Sequence, residues 1–317
     1  MLNVLVTSTN TVTALNVFRA LENRRDVRLF STDMRAESAG LVYASKHFKV
    51  DHAESDEYVE QMLSICKREN IKYLFPSSDA ECRKISENIK KFISIGTLAM
   101  TSSPEVVGIC CDKLKTYDHF KKIGIKSPRT WEYSESKEEN FPLVMRTKLA
   151  GIGKKSVNFL HNEAELAFFA NSVKSPKVMS ELVEGRELTI DVLSDKKGRV
   201  LKVVPRERTY ILNGNTKIGT IVADEKIIEE TTKIVESLGI VGISCVQCIQ
   251  NDEGNFYFEI NPRVGSGLDL TVRSGFNFPS LLIDMFEGKD IIDKLNLSLR
   301  AGLKMVRFED CHIISEK

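Results

Sequence analysis

The sequence predicts an α/β protein, with a parallel-sheet lobe at the N-terminus and an α+β lobe behind it. Over residues 1–103 apolar runs of strand length alternate with stretches of helical spacing, which implies a mostly parallel sheet with crossover helices. After residue 177 strands follow one another across short turns, as antiparallel hairpins do. The last hairpin carries Phe256-Tyr257-Phe258-Glu259-Ile260-Asn261-Pro262-Arg263-Val264-Gly265. This reads as a buried strand with two oxygen-bearing side chains and a basic residue just past its end.

In the first lobe Leu2 to Thr7 is a buried strand by its apolar run, and Val12, Ala14, Leu15, Val17, Phe18 and Leu21 follow helical spacing. A second strand runs from Val27 to Ser31 and ends at Asp33. Tyr58, Val59, Met62, Leu63 and Cys66 give another amphipathic helix, and Lys72 to Pro76 and Ile93 to Met100 supply further strands. The first strand-to-helix turn, Thr7-Ser8-Thr9-Asn10-Thr11, stands where a dinucleotide-binding fold carries Gly-x-Gly-x-x-Gly. It holds no glycine, so a pyrophosphate has no close approach to the backbone, which excludes a nicotinamide or flavin reading. Ser78-Asp79-Ala80-Glu81, at the end of another strand, either caps the following helix or lines a pocket at the carboxyl edge of the sheet.

Ser103-Pro104 starts a short helix with a good cap and proline at its first position. Asp112-Lys113 starts another, running through Leu114, Tyr117 and Phe120 to a stop at Gly124 with Pro128 beyond. A lobe boundary falls here. Ser134 to Asn140 is a solvated loop. Phe141 to Arg146 is a strand ending in a basic residue; a turn from Thr147 to Ser156 and a short strand from Val157 to Leu160 follow. Gly151 and Gly153 free this tip to fold over a polyphosphate, with Lys154 among its cations. A mobile basic hairpin would look the same, and the P-loop pattern is absent.

Asn162-Glu163-Ala164-Glu165 opens a helix with a capping-box pattern. Lys177 to Val183 and Glu187 to Leu193 are strands joined by Glu184-Gly185-Arg186, and Asp195-Lys196-Lys197-Gly198 makes a hairpin into Val200 to Leu212. That last run contains Pro205-Arg206-Glu207-Arg208, charged residues that face either a cavity or the solvated side of an edge strand. Asp224 to Leu238 is an amphipathic helix ended by Gly239, and Ile243 to Gln250 is a strand. Leu268 to Ser274, with Arg273, and Pro279 to Phe286 read as helices, and Lys304 to Ile314 as a last strand.

In the final hairpin Glu259 and Asn261 share a strand face, and Pro262 stops the ladder. Asp252-Glu253-Gly254 fits a three-residue loop with glycine in the left-handed position. If Asn251 and Asn255 close it, Gln247 lies opposite Glu259. Gln247, Glu259 and Asn261 then form one cluster of hard oxygen ligands, suited to magnesium carrying substrate phosphates. Any Glu-x-Asn pair on the polar face of a hairpin gives the same pattern, so the surrounding motifs decide its meaning. Cys245-x-x-Cys248 lies on the same strand with its thiols on opposite faces and no helix following to lower their pKa, which argues against redox chemistry.

At 317 residues, 42% hydrophobic and 28% charged, the chain can bury two or three cores. A formal charge of +1 without a basic block offers no footprint for nucleic acid or an anionic membrane. No apolar run approaches the roughly 20 residues of a membrane span, and Leu2 to Val6 is too short for a signal-peptide core. Seven cysteines without a framework of spacings indicate reduced thiols in the cytoplasm.

Taken together these segments resemble the ATP-grasp superfamily, in the branch of proteins similar to the large subunit of carbamoyl-phosphate synthetase. The likeness runs over nearly the whole chain, with its motifs in order. It implies an ATP-grasp fold with a Rossmann-like pre-grasp domain at residues 1–103, ending in Leu74-Phe75-Pro76-Ser77-Ser78-Asp79-Ala80-Glu81. Small nucleotide-facing subdomains including a lid follow at 104–180, and a catalytic subdomain at 181–317. Lys113 then corresponds to the first basic residue at the nucleotide site, Arg146 to the lid-strand cation on the phosphates, and Gly151 to Ser156 to the covering loop. Glu181-Leu182-Val183 matches the hinge whose backbone reads the adenine edge, and Glu187 the carboxylate on the ribose hydroxyls. Gln247, Glu259 and Asn261 match the metal positions and Arg263 the arginine at the transferred phosphate. Departures are local: Thr147 replaces a common proline, the loop has fewer glycines than the synthetase, and Gln247 stands where many relatives carry a carboxylate. The last should weaken one of two metal sites.

The resemblance implies a cytoplasmic ligase that activates a carboxylate as an acyl phosphate and joins it to an amine or similar nucleophile. Its cofactors would be ATP and one or two magnesium ions, with manganese (Mn2+) as the alternative to Mg2+. Arg206, Arg208 and Arg273 are candidates for gripping the carboxylate, since arginine binds carboxylate in a two-pronged fashion; surface salt bridging is the other reading of all three. A kinase that stops at a phosphorylated product, or a nucleotide-binding protein without turnover, would share most of these motifs. The partners expected are a small-molecule carboxylate and amine, with no nucleic acid and no membrane, and a homodimer is compatible. The acceptor pocket is expected where the first lobe meets the catalytic one.

Overall fold

Val4, Leu5 and Val6 are buried on both faces of their strand, as a central parallel strand requires. The structure, a computed structural model, describes residues 1–134, 140–151, 157–172, 175–309 and 311–313. Its first unit runs β1 (Leu2–Val6), α1 (Val12–Leu21), β2 (Val27–Asp33), α2 (Gly40–Tyr43), β3 (Lys46–Lys49), α3 (Tyr58–Arg68), β4 (Tyr73–Phe75), α4 (Asp79–Glu87), α5 (Ile89–Ser94) and β5 (Leu98–Ala99). The five strands are parallel in the order β3-β2-β1-β4-β5. The winding reverses between β1 and β4, so the turns after these two strands open side by side at the carboxyl edge, where such sheets bind ligands. Thr11 caps α1 by accepting from Ala14 N at 3.2 Å, and Ser78 caps α4 by accepting from Glu81 N.

Two differences from the sequence reading are local. Ile89–Ser94 is helical, and Gly96 with φ +83° turns the chain in the left-handed region before the short β5. The expected strand from Ile93 is therefore only Leu98–Ala99. The edge strand β3, with lysine at both ends, is short and exposed in the way sheet edges are protected; it carries too little apolar pattern to be read in advance.

The second unit comprises α6 (Pro104–Cys111), α7 (Lys113–Lys122), β6 (Thr130–Glu132), β7 (Leu143–Thr147), β8 (Val157–Leu160), α8 (Glu163–Ser172) and β9 (Lys177–Glu181). The strands form an antiparallel sheet in the order β6-β9-β7-β8 around Leu143, Met145, Leu160 and Met179. The helices α6 and α7 pack elsewhere: Cys110 and Phe120 share a core with Leu188, Ile190, Val246 and Tyr257 of the last sheet.

The third unit is β10 (Arg186–Ser194), β11 (Val200–Leu212), β12 (Asn215–Ile221), α9 (Glu225–Leu238), β13 (Gly242–Asn251), β14 (Gly254–Asn261), α10 (Leu268–Arg273), α11 (Phe278–Phe286), α12 (Ile292–Leu295) and β15 (Lys304–Val306). Its antiparallel sheet has the order β14-β13-β10-β11-β12-β15. The strand β12 is absent from the sequence reading, although Asn213-Gly214 announces it. Both residues have positive φ, +50° and +75°, the two-residue turn that hairpin twist favours. The last strand is confined to Lys304–Val306; Ile314, the expected end, lies outside the described residues.

The β13–β14 hairpin reaches the expected register by another route. Asn251 pairs with Gly254, so the tip is Asp252-Glu253 and one residue tighter than expected. A bulge then leaves Phe258 without a partner between the pairs Cys248–Tyr257 and Gln247–Glu259. The bulge adds back the residue the turn removed, and Gln247 lies opposite Glu259. The first and third units are fused by one core, in which Val4, Val17 and Phe18 meet Phe276, Phe278 and Leu281. Among the described residues no helix is long and apolar enough to cross a membrane.

Candidate active site

The end of β14 brings three oxygen-bearing side chains and one arginine together. Asn261 Nδ2 donates to Glu259 Oε1 at 2.9 Å, and Arg263 Nη2 donates to Asn261 Oδ1 at 2.9 Å. Gln247 is best satisfied with its amide nitrogen donating to Glu259 Oε1 at 3.3 Å and its oxygen accepting from Arg208 Nη1 at 2.7 Å. Among the described residues no three His, Cys, Asp or Glu side chains converge as a metal cage. One carboxylate with two amide oxygens is nevertheless a donor set that fits magnesium, since that ion keeps waters and takes further oxygens from phosphates.

Arg263 reaches beyond this cluster. Its Nε and Nη2 donate to Asp79 Oδ1 and Oδ2 at 2.6 and 3.0 Å, and its Nη1 donates to Val264 O at 3.0 Å. Asp79 is the first residue of α4, so the pair spans the first and third units. The glycine loop after Arg263 is braced as well. Asn16 Nδ2 of α1 lies 3.0 Å from both Gly265 O and Ser266 O, and Arg307 Nη2 donates to Ser266 O at 2.9 Å.

Arg146, at the exit of β7, is buried with its guanidinium 5.6 Å from the Phe258 ring. Its Nε has no hydrogen-bond partner among the described residues. Burial pushes its pKa down, with the charge of Glu259 pulling the other way. A buried cation with an unsatisfied donor costs stability and marks a place where an anion would be bound. Lys113, half-buried, opens α7 behind its cap Asp112, and its backbone N donates to Lys148 O at 3.0 Å. Gly151 has φ +76°, and a Cβ there would meet Ala80 N at 2.6 Å; the root of the loop presses on the start of α4, and only glycine fits. Gly153 and Lys154 lie outside the described residues.

Glu181 ends β9 and pairs with Arg129 Nε at 3.2 Å, while Leu182 and Val183 leave the ladder as the half-buried link to β10. Glu187, on β10, is ion-paired with Arg208. Both cysteines of the Cys245-x-x-Cys248 stretch are buried; burial pushes the Cys245 thiol up to about 12 and raises Cys248 as well.

The carboxylate grip expected of three arginines does not form. Arg206 and Asp191 are both 0% exposed and make a two-pronged pair, Nε to Oδ2 and Nη2 to Oδ1 at 2.7 Å each. Thr271 Oγ1 adds a hydrogen bond of 2.5 Å to Asp191 Oδ2. The Nε/Nη2 fork of Arg206 is thus filled; its Nη1 has no hydrogen-bond partner among the described residues and lies against Gly267, where a Cβ would come within 2.0 Å. Arg208 is engaged by Glu187, by Thr216 Oγ1 at 3.0 Å and by Gly214 O at 2.6 Å, tying the 213–214 tip to β10. Arg273 is 72% exposed on α10 and pairs with Asp269 one turn away at 3.5 Å. Long side chains announce a charge, and folding chooses the partner.

A cavity of about 520 Å³ opens at the carboxyl edge of the first sheet, between the turn after β1, the Ser77–Glu81 segment, Gly151, the Asn213–Asn215 tip and Arg263. Ser78 caps its helix, and Asp79 and Glu81 line this cavity. Glu81 Oε2 accepts from Thr7 Oγ1 at 2.5 Å, Ser8 Oγ at 2.6 Å and Ser78 Oγ at 3.0 Å. Burial pushes its carboxyl up while these hydroxyls pull it down, and the net shift is upward. An acid held by hydroxyls thus stands where a dinucleotide fold presents glycine amides to a pyrophosphate. The pairing of Asp79 with Arg263 and the bracing of the glycine loop by Asn16 and Arg307 left no local trace in the sequence, because each acts on a residue far away in the chain.

Residues 174–310 match a family model described as ATP-grasp in the biosynthetic pathway with Ter operon, and residues 4–100 match one described as PylC-like, N-terminal domain. A carbamoyl phosphate synthase large chain from Clostridium botulinum is 28% identical over 225 residues, covering 64% of this chain and 21% of that one. A D-alanine–D-alanine ligase from Fusobacterium nucleatum is 26% identical over 209 residues, covering 61% of this chain and 69% of the ligase. The solved structure of an L-amino acid ligase from Bacillus licheniformis superposes with a TM-score of 0.71 at 17% identity, covering 89% of this chain and 73% of that one. The chain spans about a fifth of the length of the synthase large chains it matches.

Proposed function

We propose that this chain, which belongs to the ATP-grasp superfamily, is an ATP-dependent ligase joining a carboxylate to an amine through an acyl phosphate. One observation carries the reading. Arg263 holds Asn261 of the oxygen cluster on one side and Asp79 of the cavity wall on the other, so one cation borders both the nucleotide side and the acceptor side.

In this reading Arg146 and Lys113 neutralise the phosphates, Glu181-Leu182-Val183 offers backbone to the adenine, and Glu187 faces the ribose. Magnesium held by Gln247, Glu259 and Asn261 would supply charge neutralisation of the terminal phosphates. The substrate carboxylate oxygen attacks the terminal phosphorus and ADP leaves; the amine then attacks the acyl carbon, and inorganic phosphate leaves as the amine loses a proton. Arg263 stabilises the charge on the transferred group in both steps. In the same reading the chain divides into a pre-grasp lobe at 1–103, a nucleotide-facing lobe with the lid at 104–180 and a catalytic lobe at 181–317. Cys66, Cys82, Cys110, Cys111, Cys245 and Cys248 are buried and free, which suits a reducing cytoplasm.

The test is ADP release with magnesium and ATP across pooled amino acids and small carboxylates, with Asn261→Ala as control. Release that needs both a carboxylate and an amine, and falls about 100-fold in the control, is the expected result. Release with a carboxylate alone, giving a stable phosphorylated product, would make the protein a kinase. Failure to bind ATP would sink both.

A further inference from the structure

A second cavity, of about 730 Å³, lies beyond the tip between β11 and β12. Val12, Asn213 and Asn215 line it and also line the first cavity, so the two adjoin across the same tip. Its walls are partly apolar, with Leu15, Val42, Tyr43 and Phe308, and it carries the cations Arg19, Lys217 and Arg307.

Compensation of these cations is uneven: burial lowers the Arg19 pKa, but a hydrogen bond to Tyr43 and the charges of Asp269 and Glu22 raise it overall. Arg307 is the innermost: Nη2 donates to Ser266 O, but Nε is enclosed with no hydrogen-bond partner among the described residues. Burial pushes its pKa down; Asp269 opposes this, while Arg19 and Arg206 add to it. Asp269 is shared, lying 3.6 Å from Arg19 Nη1 and 3.5 Å from Arg273 Nε. Lys217 Nζ has Glu309 at 3.6 Å, but that carboxylate is 92% exposed, and Glu37 on the rim is exposed too. Among the described residues, Arg19 and Arg307 share the part-buried Asp269, and the other acids beside these cations, Glu22, Glu37 and Glu309, stand in water, where screening weakens them. A cleft with an excess of one charge sign and apolar walls draws in a counter-charge, and a guanidinium with a free donor suits a carboxylate or phosphate.

We propose that the second cavity binds the far, anionic end of an elongated substrate, a carboxylate or phosphate on an apolar body whose reacting end lies in the first cavity beside Arg263. The role of the first cavity rests on the ligase reading; the anion site itself does not.

The test is calorimetric titration of the full chain, without nucleotide, with α,ω-dicarboxylates from glutarate to suberate, with monocarboxylates of matching length, and with inorganic phosphate. Each is repeated on the Arg19→Gln, Lys217→Gln double variant; these side chains reach solvent, and Arg307 is left alone because it also holds Ser266. The expected result is that one of the longer dicarboxylates binds wild type about tenfold more tightly than its monocarboxylate, and that the variant loses this preference. Phosphate binding without any dicarboxylate preference would identify a free-anion site and overturn the substrate assignment. A preference unchanged in the variant would overturn the location. MgADP binding, measured in parallel on both proteins, reports separately on the nucleotide reading.

Discussion

Asp79 and Arg263, 184 residues apart in the chain, are joined by hydrogen bonds of 2.6 and 3.0 Å with side-chain exposures of only 3% and 10%. Burial disfavours the Arg263 cation, but Asp79 outweighs it and drives the pKa upward, so the arginine stays charged beside Asn261. The first lobe thereby sets the electrostatic state of a group on the last.

Removing one partner of such a pair strands the other. Asp79→Asn is expected to lower stability by about 3–5 kcal/mol in urea unfolding, and Arg263→Gln should cost much less in that background than in wild type. Additivity of the two within about 0.5 kcal/mol would show that the contact is not energetically coupled.

Arg146 presents the opposite case, a buried cation with an unsatisfied donor. Arg146→Met keeps the bulk and removes the charge, so the melting temperature without ligand should be unchanged or higher. The rise in melting temperature that saturating MgADP gives wild type should vanish. A variant that melts lower yet keeps the full ligand shift would contradict the assignment to phosphate.

Gly267 has φ −101°, a backbone any residue can adopt, so its cost on substitution is purely steric. The Cβ of Gly267→Ala would meet Arg206 Nη1 at 2.0 Å and Cζ at 2.8 Å, and Asp191 holds that guanidinium in place. A loss of about 1–3 kcal/mol is expected. Gly108→Ala, inside α6 with nothing within 4 Å, should instead gain up to about 1 kcal/mol. Equal effects at the two positions would refute the steric argument.

The Glu81 carboxyl is pushed up by burial against the pull of its hydroxyl donors. A carboxyl with a raised folded-state pKa holds its proton more tightly in the native state, so its contribution to stability is complete below the unfolded value of about 4.3. That contribution is lost as pH rises through the folded value. Glu81→Gln removes the titration. The stability of the variant relative to wild type should therefore increase from about pH 4 to about pH 8, read from urea midpoints; a difference that does not change with pH would show that Glu81 is not shifted.

The final hairpin was legible because its determinants are local. Glu259 and Asn261 share a face by strand period, and Pro262 stops the ladder. The register, however, is correct by compensation, since a two-residue tip and a bulge at Phe258 sum to the three-residue loop expected. Asn213-Gly214 is an equally local signal for β12, set between a long strand and a helix.

By itself the sequence determined most of the longer elements, the helix starts at Ser78, Ser103 and Asp112, and the residue types gathered at the end of β14. Periodicity and turn chemistry act over a few residues, so they are written where they act. Only the tertiary structure decided which charges are spent and which are available. Arg206 gives Nε and Nη2 to Asp191, Arg208 is taken by Glu187 and Arg263 by Asp79, while Arg146 Nε, Arg307 Nε and Arg206 Nη1 are left without a hydrogen-bond partner among the described residues. An arginine side chain can reach many carboxylates, and which one it meets depends on how sheets far apart in the chain pack.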